Sequence, residues 1–160
     1  MKIIIIEDDL KIREELSKLL KKNGYETILL NEFENIPLQI ENIDANLILL
    51  DINLPFENGY EICRKIKNIS NIPIIFVTSR DSTQDEIMSI QVGGIDFISK
   101  PYDTIILLEK IKRAINLTDP KNFKEMTKKG YTLDLHLSLL KYKDKEIELT
   151  RNEFRILYYF

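Results

Sequence analysis

The chain has 160 residues, 44% of them hydrophobic, a formal net charge of −3 and a single cysteine, Cys63. This length allows one domain of ordinary size plus part of another, and the lone cysteine excludes an internal disulfide framework and fits a reducing cytosol. No signal peptide opens the chain and no apolar run reaches the roughly 18 residues that a membrane span needs, so we expect a soluble, cytoplasmic protein with no membrane partner.

Charge is distributed unevenly along the chain. Residues 1–118 carry 14 basic and 19 acidic side chains, whereas residues 119–160 carry 9 basic and 7 acidic ones. The acidic part suggests a cation site. The small basic excess of the tail is weak evidence for binding nucleic acid.

The first part of the sequence alternates apolar runs with amphipathic stretches five times in about 115 residues. The predicted strands are 2–6, 25–30, 46–51, 72–78 and 95–99, and the predicted helices are 10–22, 33–43, 59–69, 82–92 and 103–115. Strand followed by helix, repeated in this way, predicts an α/β fold with a doubly wound five-stranded parallel sheet and helices on both faces.

The remainder of the chain has a different character. We divide it into a linker at 119–129 and a second domain at 130–160, with short strands at 131–135, 138–142 and 146–149 and turns at His136 and 143–145. Thr150 and Glu153 have the spacing of a capping box. The apolar residues of the helix that they would begin are Phe154, Ile156, Leu157 and Phe160. The chain ends inside this helix, so we expect the second domain to be truncated.

The candidate site centres on the third predicted strand, an apolar run that stops at Asp51 and turns at Asn53 and Pro55. Ligands of open parallel sheets bind at the carboxyl ends of the strands. The other strand ends that carry polar residues are Glu7-Asp8, Thr78 and Lys100. We therefore predict that these side chains meet around Asp51.

The residue types indicate phosphoryl transfer to Asp51. A carboxylate that attacks an anionic phosphoryl donor requires its charge to be neutralised. Carboxylates of Glu7, Asp8 and Asp51 form a hard oxygen site suited to Mg²⁺, and the Asn53 backbone carbonyl is placed to be another ligand.

Two further residues are predicted to bind the phosphoryl group after it arrives. Lys100 supplies a fixed positive charge, and Thr78 supplies a hydroxyl donor that can turn toward the group.

Residues 1–118 resemble the receiver domain of a two-component response regulator, through Glu7-Asp8, Asp51 in DINLP, Thr78 and Lys100-Pro101. The resemblance implies the flavodoxin-like strand order 2-1-3-4-5, a sensor histidine kinase as phosphoryl donor, Mg²⁺ as cofactor and a cis Lys100-Pro101 peptide bond. We also predict a switch in which the Phe97 ring fills space that Thr78 vacates as it moves inward; the alternative is that Phe97 is only a core residue.

Residues 130–160 resemble the beginning of the winged-helix DNA-binding domain of the OmpR/PhoB subfamily, most strongly at residues 147–157 (IELTRNEFRIL). In that family a later helix enters the major groove. The resemblance therefore implies that the full-length protein controls transcription by binding DNA, and that this fragment does not bind an operator specifically.

Receivers of this subfamily usually form a homodimer on activation through charged pairs on the fourth helix, fifth strand and fifth helix. Five positions depart from the usual pattern: Glu86 in place of lysine, Gln91 and Ile106 in place of glutamate, Ile95 in place of aspartate, and Lys110 in place of arginine. We expect a dimer held more by apolar contact, or a different choice of partner.

Two alternatives remain open. One is a receiver that acts only through protein binding. The other is a phospho-aspartyl phosphatase resembling the haloacid dehalogenase class, which has a D-x-D motif at the end of its first strand. Here the acids Glu7-Asp8-Asp9 are adjacent and the proposed nucleophile lies on the third strand. This argues against turnover of a small substrate and favours a protein that is not an enzyme.

Overall fold

The structure is a computed structural model that describes residues 1–117, 126–128, 130–134, 139–143, 145–150 and 153. Internal contacts divide the chain into two units, Met1–Ile115 and Asn116–Phe160, and each is described by itself. Across the described ranges, no helix combines the length and the apolar character that crossing a bilayer demands.

The first unit is the predicted α/β sandwich. Its elements are β1 (Lys2–Ile6), α1 (Leu10–Lys22), β2 (Glu26–Leu29), α2 (Ile36–Ile40), β3 (Leu47–Leu50), α3 (Gly59–Ile69), β4 (Ile74–Thr78), α4 (Thr83–Gln91), β5 (Asp96–Ser99) and α5 (Thr104–Asn116). All strand pairs are parallel and the sheet order is β2-β1-β3-β4-β5. The predicted fold class and strand order are therefore confirmed.

The central strands are buried on both faces, which explains their unbroken apolar sequences. Successive side chains of a strand point to opposite faces, so Ile4 and Leu50 join one hydrophobic cluster while Ile5 and Leu49 join another. Helices α2 and α3 complete the first cluster, and α1 and α5 complete the second. The apolar side chains of the strands fill these two clusters. The candidate functional groups are therefore the polar side chains near the strand ends.

Helix α2 is shorter than the sequence predicted. The prediction extended from 33 to 43, but the helix occupies Ile36–Ile40, after Asn35 in the left-handed conformation with φ 51°. Pro37 lies in the first turn, where its missing N–H breaks no helical hydrogen bond. Burial of Ile36 and Ile40, one turn apart, fixes this single turn against the sheet.

The second unit contains an antiparallel sheet of β6 (Met126–Lys128), β7 (Tyr131–Asp134), β8 (Leu139–Tyr142) and β9 (Lys145–Glu148), in that order. The predicted short sheet is confirmed, but the predicted linker is wrong for residues 126–128. A three-residue strand is too short to display alternation. It is defined instead by pairing with β7 across a turn in which Gly130 has φ 83°.

One side of the predicted capping box is present after β9. The Glu153 carboxylate accepts hydrogen bonds from the Thr150 backbone N–H (2.9 Å) and the Thr150 hydroxyl (2.6 Å). The predicted turn at His136 and the apolar residues of the last helix, Phe154, Ile156, Leu157 and Phe160, lie outside the described residues.

Candidate functional site

Four strands of the first sheet end in polar residues, and these residues lie together along the edge formed by the carboxyl ends of the strands. The Asp51 N–H donates to the Ile6 carbonyl at 2.9 Å, which places Asp51 beside Glu7. On the other side of the site, the Lys100 N–H donates to the Thr78 carbonyl at 2.7 Å. Parallel pairing thus brings together residues that are up to 93 positions apart in the sequence.

Lys100 lies at the centre of the site. Its Nζ lies 2.5 Å from Glu7 Oε2 and 2.7 Å from Asp51 Oδ2. The exposed fractions of the three side chains are only 13% for Lys100, 5% for Glu7 and 6% for Asp51. Two carboxylates therefore share one largely buried ammonium, and the position of each of the three side chains depends on the other two.

Burial and the attraction between opposite charges shift the pKa values of Glu7 and Lys100 in opposite directions. Burial raises the pKa of the Glu7 carboxyl, and this effect exceeds the lowering by the Lys100 ammonium. Burial alone would lower the pKa of Lys100, but its hydrogen bonds and charge interactions with Asp51 and Glu7 outweigh burial and raise it. Lys100 is therefore charged at neutral pH.

Glu7, Asp8 and Asp51 form an acidic cluster in which one carboxylate oxygen from each lies within 4.8 Å of the others. Asp8 is exposed while the other two are buried, so the cluster opens to solvent on the Asp8 side. Hard oxygen ligands that leave room for water are the set that Mg²⁺ prefers. The residues present therefore fit this ion.

Asn53 lies next to this cluster. Its N–H donates to Asp51 Oδ1 at 3.1 Å, which closes a tight turn directly after the candidate acceptor. Asp9, the residue after Asp8, has a different role, because its side chain caps the N-terminus of α1. Metal binding by the Asn53 carbonyl stays a prediction.

Thr78 ends β4, and Phe97 lies on the adjacent strand β5, two residues before that strand ends. Thr78 is fully buried, and its hydroxyl oxygen accepts a hydrogen bond from the Arg80 N–H at 3.4 Å. Phe97 pairs with Phe76 in the sheet register and is buried in the cluster on the α3 face. The Lys100-Pro101 peptide bond is cis. The switching roles of Thr78 and Phe97 stay predictions.

The residues assigned to a dimer surface are mostly accessible in the single chain. Glu86, Gln91, Ile95 and Ile106 are exposed. Lys110 differs, because its Nζ lies 2.6 Å from Asp96 Oδ1 and 2.9 Å from the Phe97 carbonyl. Its charge is therefore already paired within the chain.

Two residues that support the site were not identified from the sequence. A Cβ on Gly59 would lie 2.3 Å from the Asp51 carbonyl oxygen, so only glycine permits α3 to begin this close to Asp51. The Asn58 side chain caps the N-terminus of α3, which is a local signal for the helix start but not for this contact. Arg13 is buried and its Nη1 donates to the carbonyls of Glu7 (3.1 Å) and Leu30 (2.9 Å). No local sequence feature indicated that contact.

An open cleft adjoins the site. The residues that line it are Asp8, Ile52, Asn53, Leu54, Pro55, Phe56, Glu57, Asn58 and Arg80. Asp8 belongs both to this cleft and to the acidic cluster, so the cleft leads from solvent to the cluster.

The comparisons with known proteins agree with this geometry. Residues 3–112 match the family model described as response regulator receiver domain. The uncharacterized transcriptional regulatory protein YvcP of Bacillus subtilis is 39% identical over 117 residues, 73% of this chain and 49% of that protein. The sensory transduction protein BceR of Halalkalibacterium halodurans is 36% identical over 160 residues, 98% of this chain and 69% of that protein.

A solved structure of a two-component response regulator from Clostridium difficile superposes with a TM-score of 0.70 at 28% identity, covering 74% of this chain and 98% of that one. The chain spans about half the length of YvcP and about 70% of BceR. The family match and the acidic cluster around Asp51 lead to the same assignment. The chain therefore belongs to the response regulator receiver domain family.

Proposed function

We propose that this chain is the phosphoryl-accepting part of a two-component response regulator, with Asp51 as the acceptor and a sensor histidine kinase as the donor. The observation that supports this most directly is the placement of Asp51 beside two further carboxylates and 2.7 Å from the Lys100 ammonium. The names of two relatives, a transcriptional regulatory protein and a sensory transduction protein, agree with the proposal. Its buried free cysteine suits a reducing cytoplasm.

The proposed reaction joins one carboxylate oxygen of Asp51 to phosphorus. As that P–O bond forms, the P–N bond of a phosphohistidine donor breaks, and its electron pair stays on the imidazole nitrogen. Bound Mg²⁺ would supply neutralising charge to the phosphoryl oxygens, with Glu7, Asp8, Asp51 and the Asn53 carbonyl as its ligands. Lys100 would hold a second positive charge beside the new group.

Phosphorylation would then shift the domain between two conformations. Moving such an equilibrium from mostly off to mostly on takes about 5 kcal/mol of differential binding. A hydrogen bond to a charged group contributes about 1.5–3 kcal/mol. New bonds from the Thr78 hydroxyl and the Lys100 ammonium are therefore sufficient in size, and inward movement of Thr78 would leave space for the Phe97 ring.

The acceptor is tested by exposing the chain to Mg²⁺ and acetyl phosphate and measuring intact mass. We expect one added phosphoryl group on the unaltered chain and on Asp44→Asn, a matched exposed aspartate. Asp51→Asn should gain none. Phosphorylation of Asp51→Asn would contradict the assignment, and repeated turnover of a generic phosphate ester would favour the phosphatase instead.

We propose DNA as the partner of the full-length protein rather than of these 160 residues. Residues 130–160 resemble only the beginning of a winged-helix domain, whose groove-binding helix comes later in that family. Binding to an operator should therefore be assayed with the full-length protein.

The surface of α4, β5 and α5 is proposed to bind a second copy of the chain when Asp51 is phosphorylated. Its exposed large apolar side chains are Ile87, Met88, Ile90, Ile95, Ile105 and Ile106. Because the Lys110 ammonium is already paired with Asp96, apolar burial rather than ion pairing would supply most of the association.

This dimer is tested by sedimentation with Mg²⁺ and beryllofluoride, a phosphoryl mimic, at low and high salt. We expect an association that high salt does not weaken and that Ile106→Lys abolishes. Ile69→Lys, an exposed isoleucine on α3, is the control. Dissociation at high salt would show that charged pairs hold the dimer.

A further inference from the structure

Arg80 is a cation at the cleft that the proposed reaction does not use. It follows Thr78 by two residues and lines the cleft together with Asp8 and Asn53. Its Nε donates to Asn53 Oδ1 at 2.9 Å, and the Asn53 N–H in turn donates to Asp51 Oδ1 at 3.1 Å. One residue thus separates the Arg80 guanidinium from the acceptor carboxylate.

The resting anionic partner of Arg80 is Asp85, in the first turn of α4. The distance from Arg80 Nη1 to Asp85 Oδ1 is 3.5 Å, longer than a charge-assisted hydrogen bond. The Arg80 side chain is 41% exposed, so this ion pair is also screened by water. The contact is weak.

Asp85 does not depend on Arg80 for its hydrogen bonds. The Ser82 hydroxyl donates to its Oδ2 at 2.5 Å, and the Tyr60 hydroxyl donates to its Oδ1 at 2.9 Å. These hydroxyl bonds lower the pKa of Asp85, so it remains an anion when Arg80 departs. If the Arg80 side chain moves away, the Asp85 carboxylate therefore keeps both hydroxyl donors.

We propose that Arg80 is a further phosphoryl-binding residue, which exchanges its contact with Asp85 for the phosphoryl group on Asp51. This inference depends on the proposed function, because it requires a phosphoryl group at Asp51. Guanidinium has five N–H donors in a planar fork, so Arg80 can keep Asn53 while it binds phosphoryl oxygens. Lys100 would then contact the group from the β5 side and Arg80 from the loop after β4.

The relative strengths of the two contacts favour the exchange. An exposed ion pair changes an equilibrium by less than about fivefold. A hydrogen bond between two charged groups at a partly buried site changes it by about tenfold to a hundredfold. Asp85 therefore acts as a weak competitor for Arg80, and its removal should strengthen phosphoryl binding.

The test is a titration of the full chain with beryllofluoride in Mg²⁺, with the bound fraction measured by fluorine NMR. Arg80→Gln should weaken binding about tenfold or more, whereas Asp85→Asn should strengthen it by up to about fivefold. The double variant should bind like Arg80→Gln alone. Arg64→Gln, an exposed arginine on α3, should bind like the unaltered chain.

Opposite effects of the two variants separate competition from a general structural role. Unchanged binding by Arg80→Gln, or weaker binding by Asp85→Asn, would overturn this inference while leaving the acceptor assignment intact. An unaltered chain that neither binds beryllofluoride nor is phosphorylated would overturn the proposed function itself. If Arg80→Gln does not fold, Arg80→Lys carries the test, since a lysine lacks the fork and should give intermediate affinity.

Discussion

Substituting Lys100 by methionine should destabilise the first unit by an amount that grows with pH. The change removes the ammonium that lies 2.5 Å from Glu7 and 2.7 Å from Asp51 while roughly preserving the side-chain volume. Removing one partner from a buried ion pair costs about 3–5 kcal/mol, because the remaining charge is left without compensation. Here two carboxylates lose the same partner, so we expect a loss in this range at about pH 8.

The pH dependence follows from Glu7. Its pKa is already raised above 4.5 by burial, and loss of the Lys100 charge raises it further. Between pH 4.5 and the higher pKa of the folded state, the folded chain binds a proton that the unfolded chain does not. Stability of the variant must therefore fall as pH rises through this interval, and the difference from the unaltered chain should be smaller at about pH 5 than at about pH 8.

The assay is urea denaturation in EDTA at both pH values, together with hydrogen exchange of β3 amides to report on the first unit. Lys65→Met is the matched control: the Lys65 side chain in its ion pair with Glu57 is 58% exposed, so its loss should cost less than about 1 kcal/mol. Mg²⁺ should restore part of the stability of Lys100→Met, because the ion neutralises the same carboxylates. A loss that is equal at the two pH values, or below about 1 kcal/mol at both, would refute the reasoning.

Three other expectations concern residues that pack around the site. Gly59→Ala forces a Cβ to within 2.3 Å of the Asp51 carbonyl, so we expect a loss of about 1–3 kcal/mol in urea denaturation and slower phosphorylation by acetyl phosphate. Arg13→Met leaves two buried carbonyls without their donor and should cost about 2–4 kcal/mol; a change below about 0.5 kcal/mol would show that water replaces it. Burial raises the pKa of Cys63 to about 11, so its thiol should resist iodoacetamide in the native chain at neutral pH and react once urea unfolds it. Rapid alkylation of the native chain would contradict the buried position.

Several features were predictable because they depend on residues that are near one another in sequence. Unbroken apolar runs such as residues 47–50 predicted strands buried on both faces, and alternation of these runs with amphipathic stretches predicted the parallel sheet. A carboxylate or a lysine directly after such a run must lie at the sheet edge, because parallel strands all end there. This local rule brought Asp51, Glu7 and Lys100 into one predicted site, and the structure places them together.

Other features depend on contacts between distant residues, and no local pattern carries them. Arg13 joins the ends of two strands, and Arg80 lies between Asn53 and Asp85, only because the fold brings those groups within hydrogen-bonding distance. Strand β6 has three residues and exists through pairing with β7 rather than through its own composition. Sequence by itself determined which residue types lie at the carboxyl ends of the strands, because the spacing of apolar residues and the polar residues that end each run can be read locally. Tertiary structure alone decided which of them share a partner, because pairing energy depends on distances that the chain order does not contain.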